Sequence, residues 1–206
     1  MNVLFINGSP KANGNTAFAL AQMAEVFHAE GVEVEIIHVG NQVIRGCTGC
    51  ASCYKTGKCV FDDLVNQVAP KLEAADGIVI GSPVYYAAPN GTLISFLDRL
   101  FYSTGRVDKR MKVGAAVVCA RRGGCTAAFD VLNKYFTISQ MPVASSSYWN
   151  QIHGGKPGDA EQDAEGIRTM RNLAKNMTFL MKSIALGKEA VGLPEPEKKV
   201  FTNFIR

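Results

Sequence analysis

Four cysteines fall within one short segment, spaced Cys47-x2-Cys50-x2-Cys53-x5-Cys59. Three thiols at two-residue intervals wrap around one point, and the fourth returns after Gly57. Four thiolates from a single loop suit a 4Fe–4S cluster. The last gap is longer than in the two-cluster C-x3-C-P run, no proline follows Cys59, and there is no second set, so one cluster is implied. Zinc also takes four thiolates, although structural zinc sites usually split them into two separated pairs. A metal-free group of free or reversibly oxidised thiols is the third reading. The other two cysteines, Cys119 and Cys125, end an apolar run and begin a helical pattern, which suits small core residues.

A second segment with chemical potential is Asn7-Gly8-Ser9-Pro10-Lys11-Ala12-Asn13-Gly14-Asn15-Thr16. It joins the apolar run Val3-Leu4-Phe5-Ile6 to a stretch with helical periodicity. A helix starting there turns unsatisfied backbone N–H groups and a positive dipole end toward the strand edge. Ser9, Asn15 and Thr16 add side-chain donors at the same point, with Lys11 and Asn13 in the same loop. Together they make a phosphate cradle. Neither G-x-G-x-x-G nor G-K-S/T occurs, which weakens a dinucleotide reading and argues against a nucleoside triphosphatase. An ordinary strand-to-helix loop with a polar cap remains the alternative.

Two further loops complete the set. In Gly81 to Gly91, the residues Pro83, Val84, Tyr85 and Tyr86 offer an apolar, aromatic border for a flat heteroaromatic ring. Plain packing is the alternative for the tyrosines. Asn90 closes that loop and can cap the helix after it. Ala120 to Gly124 carries Arg121, Arg122 and Gly123 to the same edge, where an arginine can face a reduced ring, a phosphate or solvent.

The elements that must position these loops follow from periodicity. Strands are expected at 3–6, 32–39, 77–81 and 112–119, with a short fifth at 142–147. Helices are expected at 16–29, 62–74 (capped by Asp62-Asp63), 90–102, 126–139 and 159–186, followed by an extended tail containing Pro194 and Pro196. Strands that alternate with helices and read as apolar runs predict a parallel sheet covered on both faces, a doubly wound three-layer αβα domain. Ligands in such sheets bind beyond the carboxyl ends of the strands at the switch point. Residues 1–187 form the expected domain, with the cysteine loop at 46–60 and a tail at 188–206 that packs on its own or a neighbouring subunit.

Composition sets the outer limits. The chain has 206 residues, 47% hydrophobic and 19% charged, which excludes a disordered protein. A net charge of +4 is too mild and scattered for nucleic-acid binding. No apolar run is long enough to span a membrane and the first residues carry no secretory pattern, so a cytoplasmic protein is expected. In that compartment clustered cysteines favour metal or redox roles over structural disulfides. His28, His38 and His153 suggest no catalytic triad.

In their order, the Gly-Ser-Pro loop with Gly14-Asn15-Thr16, the cysteine loop, Ser82-Pro83-Val84-Tyr85 and Leu97-Asp98-Arg99 resemble the NADPH-dependent FMN reductase and iron–sulfur flavoprotein group. The resemblance is strong over 1–104 and weak to about 150. It implies a flavodoxin-like fold with a five-stranded parallel sheet that binds FMN. Ser9, Asn15 and Thr16 would hold the FMN phosphate, with Lys11 and Asn13 beside them. Pro83, Val84, Tyr85 and Tyr86 would border the isoalloxazine, near Asn90, Arg121 and Gly123. Cys47, Cys50, Cys53 and Cys59 match the compact motif of that group, in which a 4Fe–4S cluster relays electrons between FMN and an outside partner such as ferredoxin. The implied activity is that of a flavin-dependent oxidoreductase with NAD(P)H or ferredoxin as donor and a small-molecule acceptor, assembled as a homodimer or homotetramer. An NAD(P)H-dependent FMN or quinone reductase with structural cysteines, and a flavodoxin-type electron carrier, are the competing expectations. The positive net charge weighs against the carrier, whose surface is usually acidic.

Overall fold

A computed structural model describes residues 1–202 and 204–205; the end of the expected tail at Asn203 and Arg206 lies outside the described residues. The elements run β1 (Asn2–Asn7), α1 (Asn15–Ala29), β2 (Glu33–His38), α2 (Cys53–Thr56), α3 (Leu64–Ala74), β3 (Gly77–Tyr85), β4 (Ala88–Pro89), α4 (Gly91–Ser103), β5 (Val113–Ala120), α5 (Cys125–Ile138), β6 (Gln151–His153), a 3₁₀ turn (Asp159–Gln162) and α6 (Ala164–Val191). Five strands pair in parallel in the order β2-β1-β3-β5-β6, and β4 folds back antiparallel on β3. This is a flavodoxin-like three-layer α/β fold, as expected.

Strand alternation divides the interior into two cores. Val3 and Phe5 of β1 face one side with Val79, Ala115 and Val117, against Leu20, Met23 and Phe27 of α1 and Met170, Leu173 and Met177 of α6. Leu4 and Ile6 face the other with Ile78, Ile80 and Val118, against Val65, Val68 and Leu72 of α3, Leu93, Phe96, Leu97 and Leu100 of α4 and Leu132 and Phe136 of α5. A central strand buried on both faces must be apolar at every position, and β5 is buried throughout. Among the described residues no helix is long and apolar enough to cross a membrane.

The helix starts follow side-chain capping. Asp63 accepts from Val65 N at the start of α3, and Asn90 accepts from Thr92 N and Leu93 N at the start of α4. Asp163 accepts from Gly166 N at the start of α6, which separates that helix from the preceding 3₁₀ turn instead of leaving one continuous helix from 159.

Three expectations change. The last strand is Gln151–His153, not 142–147. Residues 142–144 make only a bridge, Val143 to Gly114, before Ser145 and Ser146 turn away to hydrogen-bond Asn176 and the Thr169 carbonyl. β3 continues past Ser82-Pro83 to Tyr85, because β5 pairs with it as far as Cys119 opposite Pro83 and β4 pairs with Val84 and Tyr85. The last helix runs on to Val191, beyond the expected boundary at 187, and in the tail after it the Pro194 carbonyl accepts from Arg110 Nη1 at 2.9 Å.

Gly114, the second residue of β5, has no room for a methyl group: a Cβ there would stand 2.5 Å from Cγ of Phe136. Gly114→Ala should therefore lower the unfolding free energy by about 1–3 kcal/mol through overpacking, read from the midpoint of a urea titration at unchanged slope.

Candidate functional site

The loop after β1 is assembled from polar side chains standing in for backbone partners. Asn7 Oδ1 accepts from Ser9 N at 3.0 Å, Ser9 Oγ accepts from Lys11 N at 3.1 Å, and Gly8 N donates across to the Gly81 carbonyl of β3 at 2.8 Å. His38 Nε2 meets the Ser9 carbonyl at 2.6 Å, which requires that nitrogen to carry a proton. Gly40 passes so close that a Cβ would lie 2.2 Å from the Ser9 carbonyl, so only glycine fits. Gly14 begins α1 in an extended conformation with no side-chain cap, leaving the positive helix end open to an anion. Ser9 and Thr16 are buried at this point.

Beyond the carboxyl ends of β1, β3, β5 and β6 lies a cleft of about 230 Å³ lined by Ser9, Lys11, Asn15, Thr16, Pro83, Val84, Tyr85 and Arg121, among others. The structure thus brings together eight of the twelve cofactor residues expected from sequence. Asn13, Tyr86, Asn90 and Gly123 do not line it. Asn90 is spent on capping α4 and accepts nothing from the cleft; its own N–H donates to Ser82 Oγ at 3.0 Å. Tyr86 sits fully exposed at the tip of the β3–β4 hairpin, where Tyr86 (φ 51°) and Ala87 (φ 60°) both adopt the left-handed conformation. That turn normally takes Asn-Gly, so a Tyr-Ala pair holds local strain beside the cleft.

Gly154, Gly155 and Pro157, in the loop after β6, also line the cleft and had no signal in the sequence, because the strand that delivers them was placed too early. Asn15 ties that loop down: its Nδ2 donates to the Lys156 carbonyl at 2.8 Å and its Oδ1 accepts from Ala160 N at 3.3 Å. Cys119 lines the same cleft as a thiol, its pKa pushed up to about 12 by burial, then by Cys125 and Asp163.

The cysteine segment forms a separate pocket against α4. Cys47, Cys50, Cys53 and Cys59 all line one small cavity of about 20 Å³, together with Phe61, Arg99, Tyr102 and others. Left-handed turns at Gly49 (φ 67°), Ala51 (φ 56°) and Gly57 (φ 73°) bend the chain to bring them there. Asn66 of α3 fixes the last of them: its Oδ1 accepts from Cys59 N and its Nδ2 donates to the Cys59 carbonyl, each at 2.9 Å. None of the four forms a disulfide. Burial raises the Cys53 pKa, and the Cys50, Cys59 and Cys47 thiols around it add to the rise. Among the described residues no three His, Cys, Asp or Glu side chains stand close enough to share a single metal ion.

Arg99 closes this pocket with its side chain 1% exposed. It donates to Asp63 at 2.6 and 2.9 Å, to the Phe61 carbonyl at 3.3 Å and to Cys59 Sγ from Nε at 3.3 Å and Nη2 at 3.2 Å. Burial opposes its charge, but the hydrogen bonds to Asp63 and Cys59 outweigh that and raise its pKa. Tyr54 and Tyr102 meet edge to face at 5.2 Å beside the pocket, and the Tyr54 side chain, then burial, pushes the Tyr102 hydroxyl up to about 12.

A parallel sheet with an anion-ready helix end and an aromatic hairpin at its switch point defines a flavodoxin-like flavin protein class. The chain belongs to the NADPH-dependent FMN reductase family, whose model matches residues 1–154, and to its iron–sulfur flavoprotein group, and it is a flavin-dependent oxidoreductase. An iron–sulfur flavoprotein of Methanocaldococcus jannaschii is 33% identical over 191 residues, covering 89% of this chain and 99% of the relative. One from Archaeoglobus fulgidus is 34% identical over 204 residues, covering 97% and 98%. The fold is similar to the NAD(P)H:acceptor oxidoreductase FerB of Paracoccus denitrificans (TM-score 0.68, 13% identity, 88% of this chain and 97% of that one) and to an archaeal flavodoxin (TM-score 0.58, 16%, 88% and 99%).

Because Asn90 serves the helix and not the cleft, Asn90→Ala should cost about 1 kcal/mol of stability, measured by thermal unfolding. FMN affinity, measured by fluorescence quenching, should stay within about twofold, since no cleft contact is removed.

Proposed function

We propose that this flavin-dependent oxidoreductase passes electrons between FMN in the cleft, a 4Fe–4S cluster on Cys47, Cys50, Cys53 and Cys59, and an external donor or acceptor. The observation that carries the reading is that all four cysteines, from both ends of the loop, line one pocket. Four thiolates drawn from one short loop suit a cluster, whereas structural zinc sites usually split their ligands into two separated pairs. The donor set therefore suits a cluster better than zinc.

In the cleft, the open end of α1 with Ser9, Asn15 and Thr16 suits the FMN phosphate, and Lys11 adds positive charge. Pro83, Val84 and Tyr85 offer the apolar wall for the ring, and Arg121 reaches the same space from the loop after β5. Bound flavin supplies hydride and single-electron chemistry; the chain supplies orientation and charge. The hairpin and the Gly154-Gly155 loop confine the ring region between them. Cleft and cysteine pocket share no lining residue, so the two cofactors would be held by independent walls.

The family name favours a nicotinamide donor, with a ferredoxin-type protein as the alternative and a small molecule as acceptor. The second reading, an NAD(P)H-dependent FMN or quinone reductase with structural cysteines, draws support from the family match over residues 1–154. A homodimer or homotetramer rests on the apolar tail, where Val200, Phe201 and Phe204 are exposed.

Protein purified without oxygen should contain about one FMN and about four iron and four sulfide per chain, by absorbance and colorimetric assay. Iron-free protein that still oxidises NADPH would establish the second reading instead. Cys50→Ser should abolish the iron signal and leave FMN bound, because Cys50 lines only the separate pocket; joint loss of FMN would show that the loop is a wall of the flavin site.

A further inference from the structure

We propose that Arg99 is the positioning residue of the sulfur site: it holds Cys59 Sγ and biases a bound cluster toward its reduced state. The inference rests on the cluster reading of the four cysteines.

The geometry is specific. Nε carries one hydrogen and gives it to Cys59 Sγ at 3.3 Å, and Nη2 approaches the same sulfur at 3.2 Å, so the edge of the guanidinium forks onto one atom. The far edge is anchored by Asp63 at 2.6 and 2.9 Å, and Nη1 also reaches the Arg45 carbonyl at 3.4 Å. The Phe61 ring lies 5.0 Å from the Arg99 guanidinium carbon and 4.7 Å from that of Arg45. So held, Arg99 cannot swing away from the sulfur without breaking several bonds at once. Among the described residues Cys59 is the cysteine whose sulfur meets a charged donor.

The electrostatics give the sign. One-electron reduction, for instance by dithionite, adds one negative charge to the thiolate-ligated site; no proton is taken up and no bond to Arg99 forms or breaks. A buried cation and N–H···S bonds stabilise the more negative state, so they raise the midpoint potential. Asp63 opposes this by neutralising part of the Arg99 charge. Arg45 is a second cation near the same ring, and the other thiols bring negative charge of their own when ionised.

The test is a dithionite titration of the full chain, loaded with iron without oxygen and monitored by electron paramagnetic resonance. Arg99→Lys keeps the charge and loses the fork; Arg99→Gln loses both. Asp63→Asn keeps an oxygen for the Val65 N–H and so preserves the start of α3. Midpoints should fall in the order Asp63→Asn above wild type, wild type above Arg99→Lys, and Arg99→Lys above Arg99→Gln, with the spectrum of the reduced state altered in both Arg99 variants. Equal midpoints at wild-type iron content would overturn the role of Arg99 while leaving the cluster reading intact. Iron-free wild-type protein would overturn both. Where the Arg99 variants fail to fold or to hold iron, Asp63→Asn decides alone: an upward shift sustains the proposal and an unchanged midpoint overturns it.

Discussion

The parallel pairing of β1 with β3 is the constraint on which the rest of this molecule depends. It sets Asn7 opposite Gly81, so the phosphate loop and the aromatic hairpin leave the sheet side by side, and Gly8 N bonds directly to the Gly81 carbonyl. β3 must then be apolar on both faces, and the two cores it separates use alternate residues of the same strands. Everything chemical in the cleft arises from loops at one edge of that sheet, because only there do the helix N-termini and strand ends converge. The close approach of Gly40 and the hydrogen bond from His38 extend the same constraint to β2, which braces Ser9 from the outer side.

The cysteine segment obeys a different logic. Residues 41–62 bury little, and the segment contains only a single helical turn. It is fixed by polar links to the helices beneath it: Asn66 grips the Cys59 backbone, and Arg99 grips Cys59, Phe61 and Asp63 together. Burying a guanidinium costs several kcal/mol unless its hydrogen bonds are filled, and breaking such a pair costs about 3–5 kcal/mol. Arg99 fills them with a carboxylate, carbonyls and a sulfur, so the group that organises the loop is also the one that brings positive charge to the thiols. Stability of the loop and the electrostatics of its pocket are thereby carried by one side chain.

Asparagines recur at several points where the backbone leaves regular structure. Asn7, Asn15, Asn66 and Asn90 each place an amide where a strand, loop or helix end lacks a partner. The amide both donates and accepts, so one side chain can close a turn or tie two segments that are far apart in sequence. This explains why Asn15 and Asn90, both attractive as ligand contacts by composition and position, have structural work to do. Asn15 nevertheless stands at the cleft, joining the start of α1 to the loop after β6.

What could be read from the chain alone is what depends on local chemistry. Apolar runs at 3–6, 77–81 and 112–119, helical periodicity, and the caps expected at Asp62-Asp63 and Asn90 act within a few residues, so type and spacing suffice. The cysteine spacing belongs to the same class, since the motif lies within one short segment and is visible without any tertiary contact. The last strand escaped because Gln151-Ile152-His153 is too short to show a period, while Pro142 to Ser147 resembles a strand but can bridge to β5 only at Val143. Arg99 was legible only as part of a motif; its partners lie 36 to 54 residues away, so its burial and its bond to Cys59 exist only after α3 and α4 pack together. Likewise, only the folded sheet decides that Gly154 and Gly155 meet Asn15 and Arg121 at one cleft, and that the cysteine pocket stands apart from it, because contacts between distant segments are set by packing and leave no period in the sequence.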